Sequence, residues 1–593
     1  MRLLEDEEIT LLEEQGCTAE NWLAVMVSDE FRPDAVHNVS FYGSVELGAF
    51  YDSIEVEEGF WKRSGIRNAT LRNVSIGDNC LIENVSGHIS GYDIGPGCYI
   101  SNVGTLSALA TDFGNGIELS VLSEGGEPNV VLTDQLTAQL ACLMIQSNSV
   151  FRMVKKTCAM NADTYERGVI GEHVRITYTR EISNSRVGDF CEVQGASRIS
   201  NTSLLSCDEA PTFIGSDVII ENTIVAQGAS VVDGAKVDSC FVGENAHIGK
   251  GFTATSSLFF ANCVMENGEA NASFLGPFCT ARHKSTFLVG GLFLFYDAAA
   301  GVNQSNHLYK TGPLHWGRFD RGAKTTVNSH IDWPTHIGAF SLLKGNLTSH
   351  PDLSSLPFSV ITVTEGKTYI EPGRNFCSVG VWRDVEKWKK RDLRPLGNRH
   401  DYINTDFLNP YLVQQVMEAR DILRRLVAEQ GENVEEYIYG KCFIRREDLV
   451  RANRFYDMAM KVFIGNVIRD GHMSSPYDTG ADQWIDLAGQ VVPRKEIMRL
   501  LTDVDDGVVN TIEALTECLR RIKNDYPGNS AGYAHTVIQR EEGKMFYDER
   551  KWADVADEAR ALWVKTVRQD AEKEYTLGDI PEMVFRKFLD TIQ

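Results

Sequence analysis

Between residues 270 and 350 there is no glutamate, although the chain holds 82 acidic residues against 58 lysines and arginines, for a net charge of −24. Other absences bound the function from outside. The longest apolar run, Phe287 to Tyr296, falls well short of the ~20 residues that a membrane-spanning helix needs. The N-terminus reads Leu4-Glu5-Asp6-Glu7-Glu8, without a basic stretch followed by an apolar one, so no signal peptide is read and a cytoplasmic protein is expected. The acidic balance argues against nucleic acid and anionic membrane as partners. None of the 13 cysteines forms a Cys-x-x-Cys pair, which removes the spacing of a zinc or redox cluster. No glycine-rich loop of the Gly-x-Gly-Thr-Arg sort occurs, so a doubly wound nucleotide-binding domain has no visible phosphate cradle.

What is present is a period of six. Ile76, Ile82, His88, Ile94, Ile100 and Leu106 keep it in a first run. Ile170, Ile176, Ile182, Val187, Val193, Ile199 and Leu205 follow in a second. Ile214, Ile220, Val225, Val231, Val237, Val242, Ile248 and Ala254 make a third. Some steps are five residues, Ile182 to Val187 in the second run and Ile220 to Val225 in the third among them. Ile-Gly pairs recur at 76–77, 94–95, 170–171, 214–215 and 248–249. A hexapeptide period predicts short strands stacked as coils of a parallel β-helix, with one aliphatic side chain turned inward per face. Cys80, Cys98, Cys191, Cys240, Cys263 and Cys279 fall where the repeat wants a small buried residue. Asn73 and Asn84 of the Asn-Val-Ser triplets read as corners, where asparagine tolerates the turn. His88 stands at an inward repeat position and is expected in the core.

This pattern resembles the left-handed β-helix of the hexapeptide-repeat transferases, over roughly residues 36 to 365. The segment Leu353-Ser-Ser-Leu-Pro357-Phe-Ser-Val-Ile361 is similar to their Pro-Pro-Phe-Ser-Val-like ending, with one proline absent. The whole chain also resembles an uncharacterised bacterial family of similar length labelled as related to UDP-N-acetylglucosamine pyrophosphorylase. The resemblances imply a left-handed solenoid and acyl transfer to a sugar or nucleotide sugar. They also imply trimeric association with sites between subunits and a histidine beside the solenoid acting as base. The donor stays open, a coenzyme A ester among the candidates. A sugar nucleotidyltransferase is disfavoured by the missing glycine-rich loop.

The expected organisation is a helical cap over 1–35, a first β-helix segment over 36–125, a helical insertion over 126–165, a main β-helix over 166–370 and an α-helical domain over 371–593. The insertion is placed after Gly125-Gly126-Glu127-Pro128, with a helix opening at Thr133-Asp134-Gln135. Helices are read over 382–391, 410–429, 446–467, 493–501, 507–525 and 551–570.

The glutamate-free window carries seven cations, Arg282, Lys284, Lys310, Arg318, Arg321, Lys324 and Lys344, against Asp297, Asp320 and Asp332. Six of the 13 histidines fall there: His283, His307, His315, His330, His336 and His350. A basic, histidine-rich and aromatic stretch in an acidic chain suits an anionic ligand such as a sugar phosphate, nucleotide or coenzyme A. The competing reading is a basic seam that docks the acidic remainder of the chain. Gly301 to Thr311 breaks the hexapeptide rhythm, as functional loops on rigid scaffolds do. His307 is therefore the first candidate base, with His283 and His330 behind it. Asn303, Asn306, Lys310, Arg282, Arg318, Arg321, Lys324 and Trp316 are the candidate ligand-binding residues. His330 and His336 stand one hexapeptide apart, but no third ligand has a fixed spacing, so zinc is disfavoured. Two classes of function remain: a transferase of acyl groups to carbohydrate, and a non-catalytic scaffold or ligand-sensing relative.

Overall fold

Each six-residue step ends on an apolar side chain that turns inward, and three steps close one coil. In the computed structural model, which describes residues 1–109, 112–161, 167–305, 315–471, 483–544, 547–578 and 581–592, these side chains stack in three columns. One column runs Ile76, Ile94, Ile170, Val187, Leu204, Val225 and Val242, each the parallel β-partner of the next. It continues through Phe259, Leu275, Phe293, Phe319 and Ile337. A second contains Ile176, Val193, Ile214, Val231 and Ile248. All of these side chains are buried. The protein is a parallel β-solenoid with added helices. A five-residue step such as Ile182 to Val187 shortens its coil by one residue without moving a side chain out of its column, since Ile170 still pairs with Val187.

The corners follow from backbone sterics. Asn73, Asn84, Asn201, Asn222, Asn245 and Asn262 all adopt positive φ near 50–60°, a region that asparagine enters more readily than most residues. Their amides form ladders: Asn201 Nδ2 donates to Asn222 Oδ1 at 3.0 Å, and Asn222 Nδ2 to Asp238 Oδ1 at 3.0 Å. The Ile-Gly pairs have a different cause. A Cβ on Gly95 would lie 2.7 Å from the backbone of Gly171 on the next coil, so the stacking leaves no room for one. One corner column passes from Asn245 and Asn262 to Phe278, Phe295, Gly322, Phe340 and Phe358. Each N–H from Asn262 onward bonds a carbonyl of the preceding coil.

Leu205 departs from its expected inward place, since it is half-buried and Leu204 takes the column. His88 departs too. It is exposed, and Ile89 takes the inward position, paired with Leu71 and Leu106. The step from Ile82 is one residue longer than the period, because Ser86-Gly87 occupies an extra turn position.

Both ends of the stack are covered. At the start, Val25–Val27 pairs with the first long strand, Val36–Leu47, and Arg2–Leu3 pairs antiparallel with Val25–Val27. Helix α1 (Asp6–Glu14) packs Leu12 against the core. At the far end Val360–Thr364 turns back antiparallel through Lys367–Glu371, and Cys442–Arg445 from the helical region extends the sheet. The chain leaves the solenoid after Thr105–Ser107 and returns at Gly168–Ile170. Between them lie an antiparallel hairpin, Glu118–Ser120 with Asn129–Val131, and helices α2 (Ala138–Gln146) and α3 (Asn148–Asn161). Helix α2 begins at Ala138, later than Thr133, because Thr137 is its cap and accepts the Leu140 N–H at 3.1 Å.

After the solenoid come α4 (Val379–Arg391), α5 (Pro410–Gln430), α6 (Arg446–Arg469), α7 (Arg494–Asp505), α8 (Ile512–Asn524), α9 (Tyr526–Glu542), α10 (Glu549–Leu577) and α11 (Glu582–Leu589). Two hairpins are threaded among them, Glu436–Tyr439 with Cys442–Arg445 and Trp484–Leu487 with Gln490–Pro493. Among the described residues no helix is long and apolar enough to cross a membrane.

This helical region is bolted to the solenoid by buried polar groups. Arg394 donates to Glu244 at 2.8 Å and to Asp392 at 2.8 Å. Asp401 accepts the backbone N–H groups of Ala138 (2.7 Å) and Ala261 (3.1 Å), joining three parts of the chain at one carboxylate.

Candidate functional site

The solenoid register sets residues on successive coils side by side, so an outward column is also a chemical row. Leu292, Arg318 and His336 form such a row. Asp320 follows at the corner, 1% exposed. Its Oδ1 accepts from Arg318 Nε at 2.6 Å, and its Oδ2 from His336 Nε2 at 3.1 Å and from the Tyr411 hydroxyl on α5 at 3.3 Å. Burial alone would raise the Asp320 carboxyl, but Arg318 and His336 outweigh it and hold the group well below the usual carboxylate range. The carboxylate is therefore ionised and fixed. The other imidazole nitrogen, Nδ1, lies 3.5 Å from Asp352, whose side chain is 74% exposed.

This row opens into a cleft of about 680 Å³ between the solenoid face, the insertion and the helical region. Trp316 and Trp484 lie on its walls with Gln146, Gln414, Glu418 and Arg494. The exposed ring of Trp316 beside planar amides, a carboxylate and a guanidinium suits a polyhydroxylated ligand, which offers both C–H faces and hydroxyl groups, while Trp484 is buried beneath the wall.

Among the described residues, the expected ligand residues are spread over separate places. Trp316 and Arg318 line this cleft. Arg282 and Lys324 line a second, smaller one of about 160 Å³ against α4. Asn303 and His330 pair one coil apart on a third row, where His330 also faces Asp332 at 2.9 Å. His283 is exposed on the turn beside Arg282. Asn306, His307 and Lys310 lie outside the described residues.

Arg321 belongs to the seam instead of a ligand site. It is fully buried, donating to Asp486 at 2.8 Å, to the Gly489 carbonyl at 3.0 Å and to the Asn404 carbonyl, with its guanidinium over the Phe295 ring. Lys324 is shared between Asp297 at 3.2 Å and Asp384 of α4. The seam and the two clefts therefore draw on the same basic window. Among the described residues no three His, Cys, Asp or Glu side chains gather as a metal-holding group. The six repeat cysteines are all buried, and burial pushes thiols such as Cys191 and Cys240 up, away from reactivity.

Asp320 and Tyr411 carried no sequence signal of a site. Asp320 counted only as an acid opposing the cations, and Tyr411 sits in a helix far along the chain. The one available clue was spacing: His336 lies 18 residues, or one full coil, after Arg318.

Fold and cleft together define a β-solenoid whose outward face is clasped by an insertion and a C-terminal helical region. The chain belongs to the family described as Domain of unknown function (DUF4954), which matches residues 1–427. Residues 468–578 match a second, Domain of unknown function (DUF6819). The chain is also similar to an uncharacterized protein of Treponema pallidum (strain Nichols), 25% identical, with 91% of this chain and 82% of that protein covered. The large cleft takes residues from both matched regions: the Arg318 row and Tyr411 from the first, Trp484 and Arg494 from the second.

Proposed function

We propose that the large cleft binds a carbohydrate or nucleotide sugar and transfers an acyl group to one of its hydroxyls, with His336 as general base. The observation that carries this reading is the His336–Asp320 pair, an imidazole at a cleft wall backed by a buried, ionised carboxylate. Asp320 fixes the ring and holds the proton on Nε2, leaving Nδ1 to act. Asp352 Oδ1 accepts the Ser354 N–H at 3.0 Å and the Ser354 hydroxyl at 2.7 Å, so it is held on the Ser354 side of Nδ1 and gives way to the acceptor hydroxyl by releasing these bonds. Nδ1 then takes the acceptor hydroxyl proton as the hydroxyl oxygen bonds to the donor's carbonyl carbon. The resulting imidazolium is stabilised by Asp320 and returns its proton to the leaving atom of the donor. Arg318 acts through Asp320 as a positioning residue, keeping that carboxylate charged. Every group in this scheme comes from one chain, so the reading does not depend on a trimer.

The test uses the full chain with acetyl-coenzyme A and a panel of hexoses, hexosamines and UDP-sugars, following free thiol release. His336→Ala should lower the rate roughly 10²–10⁴-fold, the usual worth of a positioned base, with the melting shift given by the sugar retained. An unchanged rate in His336→Ala would sink the assignment. A sugar-dependent melting shift with no thiol release from the native chain would favour the ligand-sensing reading, in which Asp352 stays on Nδ1.

A further inference from the structure

The smaller cleft lies where the corner column of the solenoid loses a side chain. Phe278, Phe295, Phe340 and Phe358 each place a ring at this corner, but the position between Phe295 and Phe340 is Gly322. A Cβ there would meet the Phe340 ring at 2.6 Å and Trp388 at 3.2 Å. Trp388 of α4 occupies the vacated space, its ring centroid 4.6 Å from that of Phe295. Beside it remains the cavity of about 160 Å³.

Its polar lining is unbalanced. Arg282, Lys324, Lys387 and Arg391 face it, against Asp297 and Asp384. Lys324 is held by both acids, Thr280 donates to Asp297 at 2.7 Å, and Lys387 lies 3.7 Å from Asp384. That leaves Arg282 and Arg391 without a carboxylate at ion-pair distance among the described residues, Asp297 and Asp384 acting on Arg391 only from farther away. Burial, and then repulsion by Arg282, push Arg391 down from its ordinary value, against a weaker upward pull from Asp297 and Asp384. Lys387 is likewise pushed down, by burial and then by Arg383. A chain with 82 acidic residues had ample means to neutralise this cluster.

We infer that this cleft binds the dianionic head of a phosphate monoester. The two-charge surplus matches a dianion. The volume holds a tetrahedral oxyanion and is below the 300–1,000 Å³ that encloses a whole organic ligand, so only the head enters. Forked donors on arginine suit paired phosphate oxygens, and Arg282 and Arg391 stand exposed at the mouth. This site is separate from the transfer cleft and does not rest on the reading given for it.

The experiment is a thermal titration of the full chain with inorganic phosphate, with glucose 6-phosphate and with glucose, at constant ionic strength set by chloride. Phosphate and glucose 6-phosphate should each raise Tm saturably, more strongly at pH 8 than at pH 5.5, and glucose should not. Arg282→Gln and Arg391→Gln should each weaken half-saturation at least tenfold, with the unliganded Tm unchanged or raised as repulsion is relieved. Lys390→Gln, which removes an exposed charge next to Arg391 that does not line the cleft, should titrate like the native chain. His336→Ala should do so too, which separates failure here from failure of the transferase reading. A shift equal in native and arginine variants, a shift reproduced by chloride, or no shift at all would overturn the inference. If only inorganic phosphate acts, the ligand is free phosphate and not an ester.

Discussion

Asp401 is held between the insertion and the solenoid with the Glu244 carboxylate nearby, and burial followed by that like charge pushes its carboxyl up to about 6. An acid raised in the folded state binds its proton more tightly there than in the unfolded chain, where it titrates near 3.8. Its contribution to stability is therefore complete below the unfolded value and is lost as pH rises from about 4 to about 6. Stability measured by urea across this window should carry a downward slope with rising pH from this group, and Asp401→Asn should remove that slope whatever it does to the baseline. Asp320 works in the opposite sense, since its depressed value makes it stabilising above the usual carboxylate range and costly as it protonates in acid. At this scale the sequence made the basic window visible but not its partition. Arg318, Arg321 and Lys324 look alike in a string of letters. Which faces a cleft and which is buried depends on where the corner falls and on which helix residue comes to meet it, and those partners are 165 residues away for Arg321 and 60 for Lys324.

At the scale of the element, the corners carry a testable claim. Asn222 combines φ of 49° with two ladder hydrogen bonds. Asn222→Ala should lose both bonds and incur left-handed strain, about 2–3 kcal/mol in all. Asn222→Gly should keep the backbone at ease and be more stable than the alanine variant by about 1 kcal/mol. Thermal unfolding of the two variants checks the order, and an alanine variant as stable as the glycine one would refute the strain account. The coils themselves were legible because each repeats the same demand for an inward aliphatic side chain, so the columns through Ile176 and Val193 could be read directly. The seven-residue step at Ile89 was not, because His88 fits the count while only packing rejects it. The two small hairpins at 436–445 and 484–493 and helix α9 were also hidden. Four-residue strands give too little alternation, and Pro527-Gly528 reads as a break although proline suits the first turn of a helix.

For the whole molecule, the buried Arg321–Asp486 bolt joins the solenoid to the segment matched by the second family. Removing one partner of such a pair strands a buried charge and costs about 3–5 kcal/mol. Arg321→Met should therefore separate the unfolding of Trp563, which stacks on Phe407 in the helical region, from loss of the β signal, where the native chain should give one transition. Pairing it with Asp486→Leu should bring the transitions back together, as an apolar pair needs no counter-charge. If tryptophan fluorescence and far-ultraviolet dichroism still coincide in Arg321→Met, the bolt does not couple the two regions. The insertion has a different bearing on the molecule. Because Ile94 pairs directly with Ile170, the rungs on either side of it meet as though nothing lay between them. A junction of this kind is a splice point. A spiral stair can carry a side room at any landing without altering the pitch of its steps, and a foreign module grafted between Ser107 and Gly168 would leave the rest of the stair in phase.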